Sequence, residues 1–230
     1  MLAFVQSALT RPLSPAWQIF ALLLLGDLLL CWLHLLFAQS GSVLFHLDHE
    51  VNLPTTYQSF KLILFGGFFV YQLLRRRVAA KYAGFLWPLA LFMIALGFDE
   101  LLQIHENIYR LFEFSKTLRP EKVVDASLAV GYRSSLWILY YLPVFFAAFF
   151  WIGYWFRFFQ AAHHHHFRLL LIAACTLLLV IGLEIYSSTG ERSHHAYFWL
   201  TTIEETGEMI FASVLVAIGL LTKQHQVAAR

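Results

Sequence analysis

Seven carboxylates lie inside stretches apolar enough to sit in lipid: Asp99, Glu100 and Glu106 in one, Glu184 in a second, and Glu204, Glu205 and Glu208 in a third. No Lys or Arg lies within those three stretches. A charge near a bilayer centre costs roughly 2.5–3.5 kcal/mol on insertion scales, so such acids must be protonated, hydrated in a cavity or bound to a cation. Carboxylate oxygens with a neighbouring imidazole are also the donors that divalent metals and general-base chemistry use.

The spacing within two of the stretches sharpens this reading. In DELLQIHEN (99–107), at 100° per residue of helix, Asp99, Gln103, Glu106 and Arg110 fall within about 60° of one another. His105 sits at the edge of that stripe and Glu100 turns away. The stripe is either a ligand ladder on one rigid face or, for its last members, an interfacial helix end whose charges meet water. In TTIEETGEM (201–209), Glu204 and Glu208 stand at i, i+4, and Glu205 and Glu208 at i, i+3, so either pair can join one cluster. Di-metal carboxylate bundles use related spacings, although the duplicated ExxH they carry is missing here. The competing reading has Glu204 and Glu205 favouring the positive end of a helix that starts just before them, which fits Glu208 poorly. Gly207 would let another backbone approach beside these acids.

A loop before the second apolar run, FHLDHEVNLPTTYQS (45–59), packs His46, Asp48, His49 and Glu50 into five positions. Such density can complete a metal shell from above; the default is a solvated polar loop. Pro54 should stiffen the start of the next helix, with Thr55 or Thr56 near its cap. His34, alone in the first run, reads as structural. His163 to His166 form a histidine run expected in a surface loop away from the acids. His194 and His195 precede the third acidic group, as outer ligands or proton carriers. Only His34 and His105 could flank a haem, and that reading is weak. Tyr57, Tyr186 and Ser187 are candidate helpers.

The elements that must hold these groups follow from composition. The 230 residues are 60% hydrophobic and 13% charged, with mean hydropathy +0.65, which excludes an ordinary soluble domain. A net charge of +2 does not suggest nucleic acid. Apolar runs at about 17–38, 57–74, 83–107, 135–156, 169–187 and 197–221 predict an all-α, polytopic, single bundle domain of six transmembrane helices. Cys31 and Cys175 fall within these runs and read as small hydrophobes. Arg11, Arg75 to Arg77, Lys81, Arg157, Arg168, Lys223 and Arg230 gather at alternate breaks, which places both termini in the cytoplasm. With a rise of 1.5 Å per residue, Asp99, Glu106, Glu184, Glu204, Glu205 and Glu208 then share the outer half of the membrane. Asp27 is the deepest polar exception.

The segments 50–59 (EVNLPTTYQS), DExxxxHE at 99–106 and EExxEM at 204–209 resemble a family of uncharacterised bacterial multipass membrane proteins. The resemblance implies that the outer acids and the loop before the second helix belong to one site in an inner (plasma) membrane; it implies no reaction. The expected site holds Asp99, His105, Glu106, Glu184, Glu204 and Glu208, roofed by His46, His49 and Glu50, and takes a divalent metal ion: Zn, Fe or Mn. Its chemistry would be hydrolysis of a lipid or membrane-associated substrate, with Glu106 or Glu208 as base. The alternatives are a proton or cation transporter or channel component, and an assembly subunit whose acids meet a partner's bases, within a homo-oligomer or a mixed complex.

Overall fold

The computed structural model describes residues 14–37, 40, 42–47, 52–112, 137–162, 164–188 and 193–227. Among them are six long helices: α1 (Pro15–Phe37), α2 (Leu53–Leu74), α3 (Ala80–Leu102), α5 (Trp137–Ala162), α6 (His164–Ser188) and α7 (His194–Val227). A four-residue helix, α4 (Ile104–Asn107), and a 3-10 turn, Ile108–Phe112, follow α3. The expected all-helical class holds, with no strand among the described residues. His49 and Glu50 lie outside the described residues, as does the side chain of Glu106.

Five of the long helices, all but α2, are long and apolar enough to cross a membrane, as expected of a multi-span membrane protein. The composition of α2 falls short for a structural reason. Its buried face carries Gln58, Ser59, Lys61 and Gln72, whereas its outward stripe, Phe60, Leu64, Tyr71 and Leu74, is exposed and mostly apolar, from 45% to 70% accessible. Polar inside and apolar outside is the arrangement that lipid demands. The same holds for the bare leucines of α1 (Leu22, Leu25, Leu28 and Leu29) and for Phe146 and Phe150 of α5.

The long α7 forms the centre and packs on α1, α2, α3 and α6; 78% of its most apolar window is buried. Close approach of α2 and α3 is set by two glycines. A Cβ on Gly66 would stand 2.9 Å from the Ala90 carbonyl, and one on Gly97 would stand 2.9 Å from the Ser59 carbonyl. Backbone so near leaves no room for a side chain, which is how small residues work at membrane helix contacts. Gly97→Ala should therefore cost about 1–3 kcal/mol, read as a lower unfolding midpoint in detergent. Gly207 meets only a side chain, Val180 Cγ2 on α6, at 3.0 Å.

Local signals set the helix ends. Asn52, not a threonine, caps α2: its Oδ1 accepts from the Thr55 amide at 3.1 Å, and its amide also donates to the carbonyl of His46. Asn52→Ala should cost about 0.5–2 kcal/mol from the cap alone, measured in the same unfolding assay. Ser193 opens α7 by accepting from the Ala196 amide at 3.2 Å. That start lies almost three turns before Glu204, so Glu204 and Glu205 are not helix-start residues. The expected histidine loop is also helical from His164 onward. His166 is fully buried and stacks on Phe159 at 4.8 Å, because the connection between α5 and α6 is too short to leave a loop.

Candidate functional site

The third apolar run does not continue as one helix to Asn107. Gln103 takes a left-handed backbone (φ 53°) that ends α3 at Leu102 and restarts the chain as α4. In a continuous helix, residues 99 and 105 would point in different directions, six positions and about 9 Å apart along the axis. The break folds His105 back, so that its Nδ1 sits 3.1 Å from Asp99 Oδ2. Tyr141 of α5 donates its hydroxyl to the other Asp99 oxygen at 2.7 Å. His105 also meets the Trp137 ring edge-on at 5.4 Å. The stripe expected from helical periodicity is thus replaced by an Asp99–His105–Tyr141 cluster that only the turn allows.

Glu100 corrects the sequence reading in the opposite sense. It does not turn away: its Oε1 accepts from Gln58 Nε2 of α2 at 3.2 Å, and the charges of Glu208, His105 and Asp99 all act on it. Glu208 of α7 acts on His105 as well. The charges of Asp99 and Glu100 on α3 and of Glu208 on α7 therefore all act on the imidazole of α4. His105 lies just past the end of α3. Burial works against its charge, but the Asp99 hydrogen bond and the negative charges of Asp99, Glu100 and Glu208 outweigh that and raise its pKa to about 9.

The other expected members are placed as follows. Glu204 is buried on α7, 5% exposed, one turn before Glu208. Glu184 is half-buried on α6, where its carbonyl accepts from Ser187 Oγ at 3.0 Å. His46 packs its ring edge-on against His34, with centroids 5.0 Å apart. His194 and His195 are exposed at the start of α7. His34 is committed at both nitrogens. The Leu47 amide donates to Nδ1 at 3.2 Å, so Nε2 carries the proton and donates to Thr202 Oγ1 at 3.1 Å, while Thr202 donates onward to the Phe198 carbonyl at 2.7 Å. His34 pins the 42–47 loop to α1 and α7 and is no ligand. Among the described residues, no three of His, Cys, Asp and Glu stand close enough together to hold a metal ion. The donors of the Asp99 cluster are of the right chemistry, but their side chains would have to close on an ion.

One group escaped the sequence reading altogether. Lys61 of α2 is 4% exposed and spends three donor protons on Asp27 Oδ1 (2.7 Å), the Met209 carbonyl (2.8 Å) and Ser213 Oγ (3.0 Å). Ser213 in turn donates to Asp27 Oδ2 at 2.6 Å, and the Tyr57 ring lies 4.8 Å from the ammonium. Asp27, wholly buried, is therefore a paired charge and not an isolated acid. The available signal was the one lysine within an apolar run, facing the one deep aspartate. Lys61 lies one turn from Gln58, and Met209 adjoins Glu208, so this pair lies directly beside the acidic cluster.

No curated protein and no solved structure matches the chain. A family model described as a domain of unknown function, DUF8692, matches residues 16–222, and the chain belongs to that family.

Proposed function

We propose that the protein is an integral membrane protein with six spans and cytoplasmic termini, whose outer half binds a divalent cation through Asp99, Glu100, His105 and Glu208. The supporting observation is the Asp99–His105 pair, on which the charges of Glu100 and Glu208 also act, and in which the described partners of Asp99 and Glu100 are His105, Tyr141 and Gln58. The outward apolar face of α2 supports the sixth span. A divalent ion in place of the His105 proton would balance the site, and its binding would release that proton. Bound there, Zn, Fe or Mn would supply Lewis-acid polarisation of a carbonyl or phosphoryl oxygen. The chain's own residues would then act on a lipid or membrane-associated substrate in hydrolysis, with Glu208 taking a proton from water, Asp99 fixing the His105 ring and Tyr141 fixing Asp99. Elemental analysis of detergent-purified protein, with the His163 to His166 run replaced, tests this. About one divalent ion per chain, with protons released on loading, supports it; metal-free folded protein after exposure to all three ions refutes it.

The Asp27–Lys61 pair favours a second reading, passage of protons or cations. It gives the acidic cluster a polar neighbour deeper in the bundle, carried by α1, α2 and α7. Against it, the residues that follow Lys61 and Ser213 along α2 and α7 include the buried apolar Leu62, Phe69 and Val214. Metal-free protein that acidifies proteoliposomes under an imposed potential would establish this reading over the first.

A further inference from the structure

The end of the bundle where α2 turns into α3 is a place of uncompensated positive charge. Arg75, Arg76, Arg77 and Lys81 are exposed there, and no Asp or Glu stands anywhere in 51–98 or 209–230. Two of the guanidinium groups are gathered on one ring: those of Arg75 and Arg77 lie 5.6 and 5.8 Å from the centroid of Tyr71. Lys223, arriving on α7, lies over Phe68 at 4.5 Å and close enough to Arg77 for the two charges to repel. The backbone contributes to this convergence. The Arg76 amide donates to the Leu73 carbonyl at 2.9 Å and that of Arg77 to the Gln72 carbonyl at 3.0 Å, a closing turn that places Arg76 at φ 51°. Glycine is the residue that such a turn prefers, and here an arginine takes its place.

The apolar side of the same helix completes the shape. Phe60, Leu64, Gly67, Tyr71 and Leu74 form one exposed stripe that ends at the arginines. At Gly67 a Cβ would meet nothing within 4 Å, so the stripe has a notch between Leu64 and Tyr71. An anion with a long apolar tail fits both halves. We propose that Arg75, Arg77 and Lys223 bind the phosphate headgroup of an anionic phospholipid, one acyl chain of which lies along the α2 stripe over Gly67. This site is on the opposite end of the bundle from Asp99 and does not depend on the cation reading; it depends only on the bundle lying in a membrane.

The test is native mass spectrometry of the full chain in detergent, titrated with phosphatidylglycerol or phosphatidylcholine of identical acyl chains. Wild type should retain phosphatidylglycerol preferentially, and Arg75→Gln with Arg77→Gln should weaken that retention about fivefold per charge removed while leaving phosphatidylcholine unchanged. Arg76→Gly keeps the turn and serves as the fold control: its unfolding midpoint should hold, and its lipid preference should change less than that of Arg75→Gln. Equal retention of the two lipids by wild type overturns the proposal. So does a preference that survives the double substitution, or one that inorganic phosphate abolishes as effectively as excess phosphatidylglycerol, which would mark a phosphate site and not a lipid site.

Discussion

Lys61→Met is expected to destabilise the bundle by about 3–5 kcal/mol, because it leaves Asp27 as an uncompensated charge in a dry interior. The geometry explains the size of the effect. Asp27 is wholly buried, and Lys61 and Ser213 donate to its two oxygens; without the ammonium it must take up a proton or admit water. The substitution also frees the Met209 carbonyl and so loosens α2 from α7. Asp27→Leu should cost a similar amount for the mirror-image reason, an ammonium left without its counter-charge. The pair Asp27→Leu with Lys61→Met should recover most of the loss, since a matched apolar replacement removes both desolvation costs together. Unfolding in a detergent titration, followed by circular dichroism, gives all four values. A double variant as unstable as the sum of the singles would show that the network holds the helices by shape and not by charge compensation. Ser213→Ala should cost less, about 1–3 kcal/mol, because Asp27 keeps its ion pair.

The second large effect is at the acidic cluster. Asp99→Asn should lower divalent-cation affinity by about 10–100-fold, the range seen when the group that orients a ligating histidine is changed. The amide removes a negative charge and weakens the hold on the His105 ring, whereas Tyr141 can still donate to the remaining oxygen. Adding Glu208→Gln should abolish binding, because two of the three charges acting on His105 and Glu100 are then gone. Isothermal titration with Zn or Mn, alongside circular dichroism to confirm intact helices, separates loss of binding from loss of fold. Unchanged affinity in the double variant would remove these residues from any cation site. The effect should be local: Glu184→Gln should leave affinity unaltered, since its carboxylate makes no described contact with the cluster.

Much of the frame was legible in the residues. Runs of apolar side chains predict the long helices whatever they pack against, because in lipid the backbone must satisfy its own hydrogen bonds. Acids buried in such runs mark a polar interior for the same reason. Asp99 and His105 are paired, and the charge of Glu208 acts on His105. The grouping of His46 with them did not appear among the described contacts, because His34 draws the 42–47 loop toward α1 and α7.

Periodicity assumes that a helix continues, and one left-handed residue, Gln103, sufficed to make His105 the described partner of Asp99, whereas Glu100, still within α3, meets Gln58 through the packing of α3 on α2. A non-glycine residue in that region is not announced by its type, since its cost is repaid by contacts made elsewhere in the fold. Lys61 and Asp27 stand 34 positions apart on different helices, and Ser213 lies 186 positions from Asp27; no local pattern joins them. The sequence by itself determined that charge would have to be buried in apolar helices. Which charges face one another was decided by the glycine contacts of α2 with α3 and by the central position of α7, because pairing across a bundle depends on helix rotation and axial register, quantities that exist only once the helices pack.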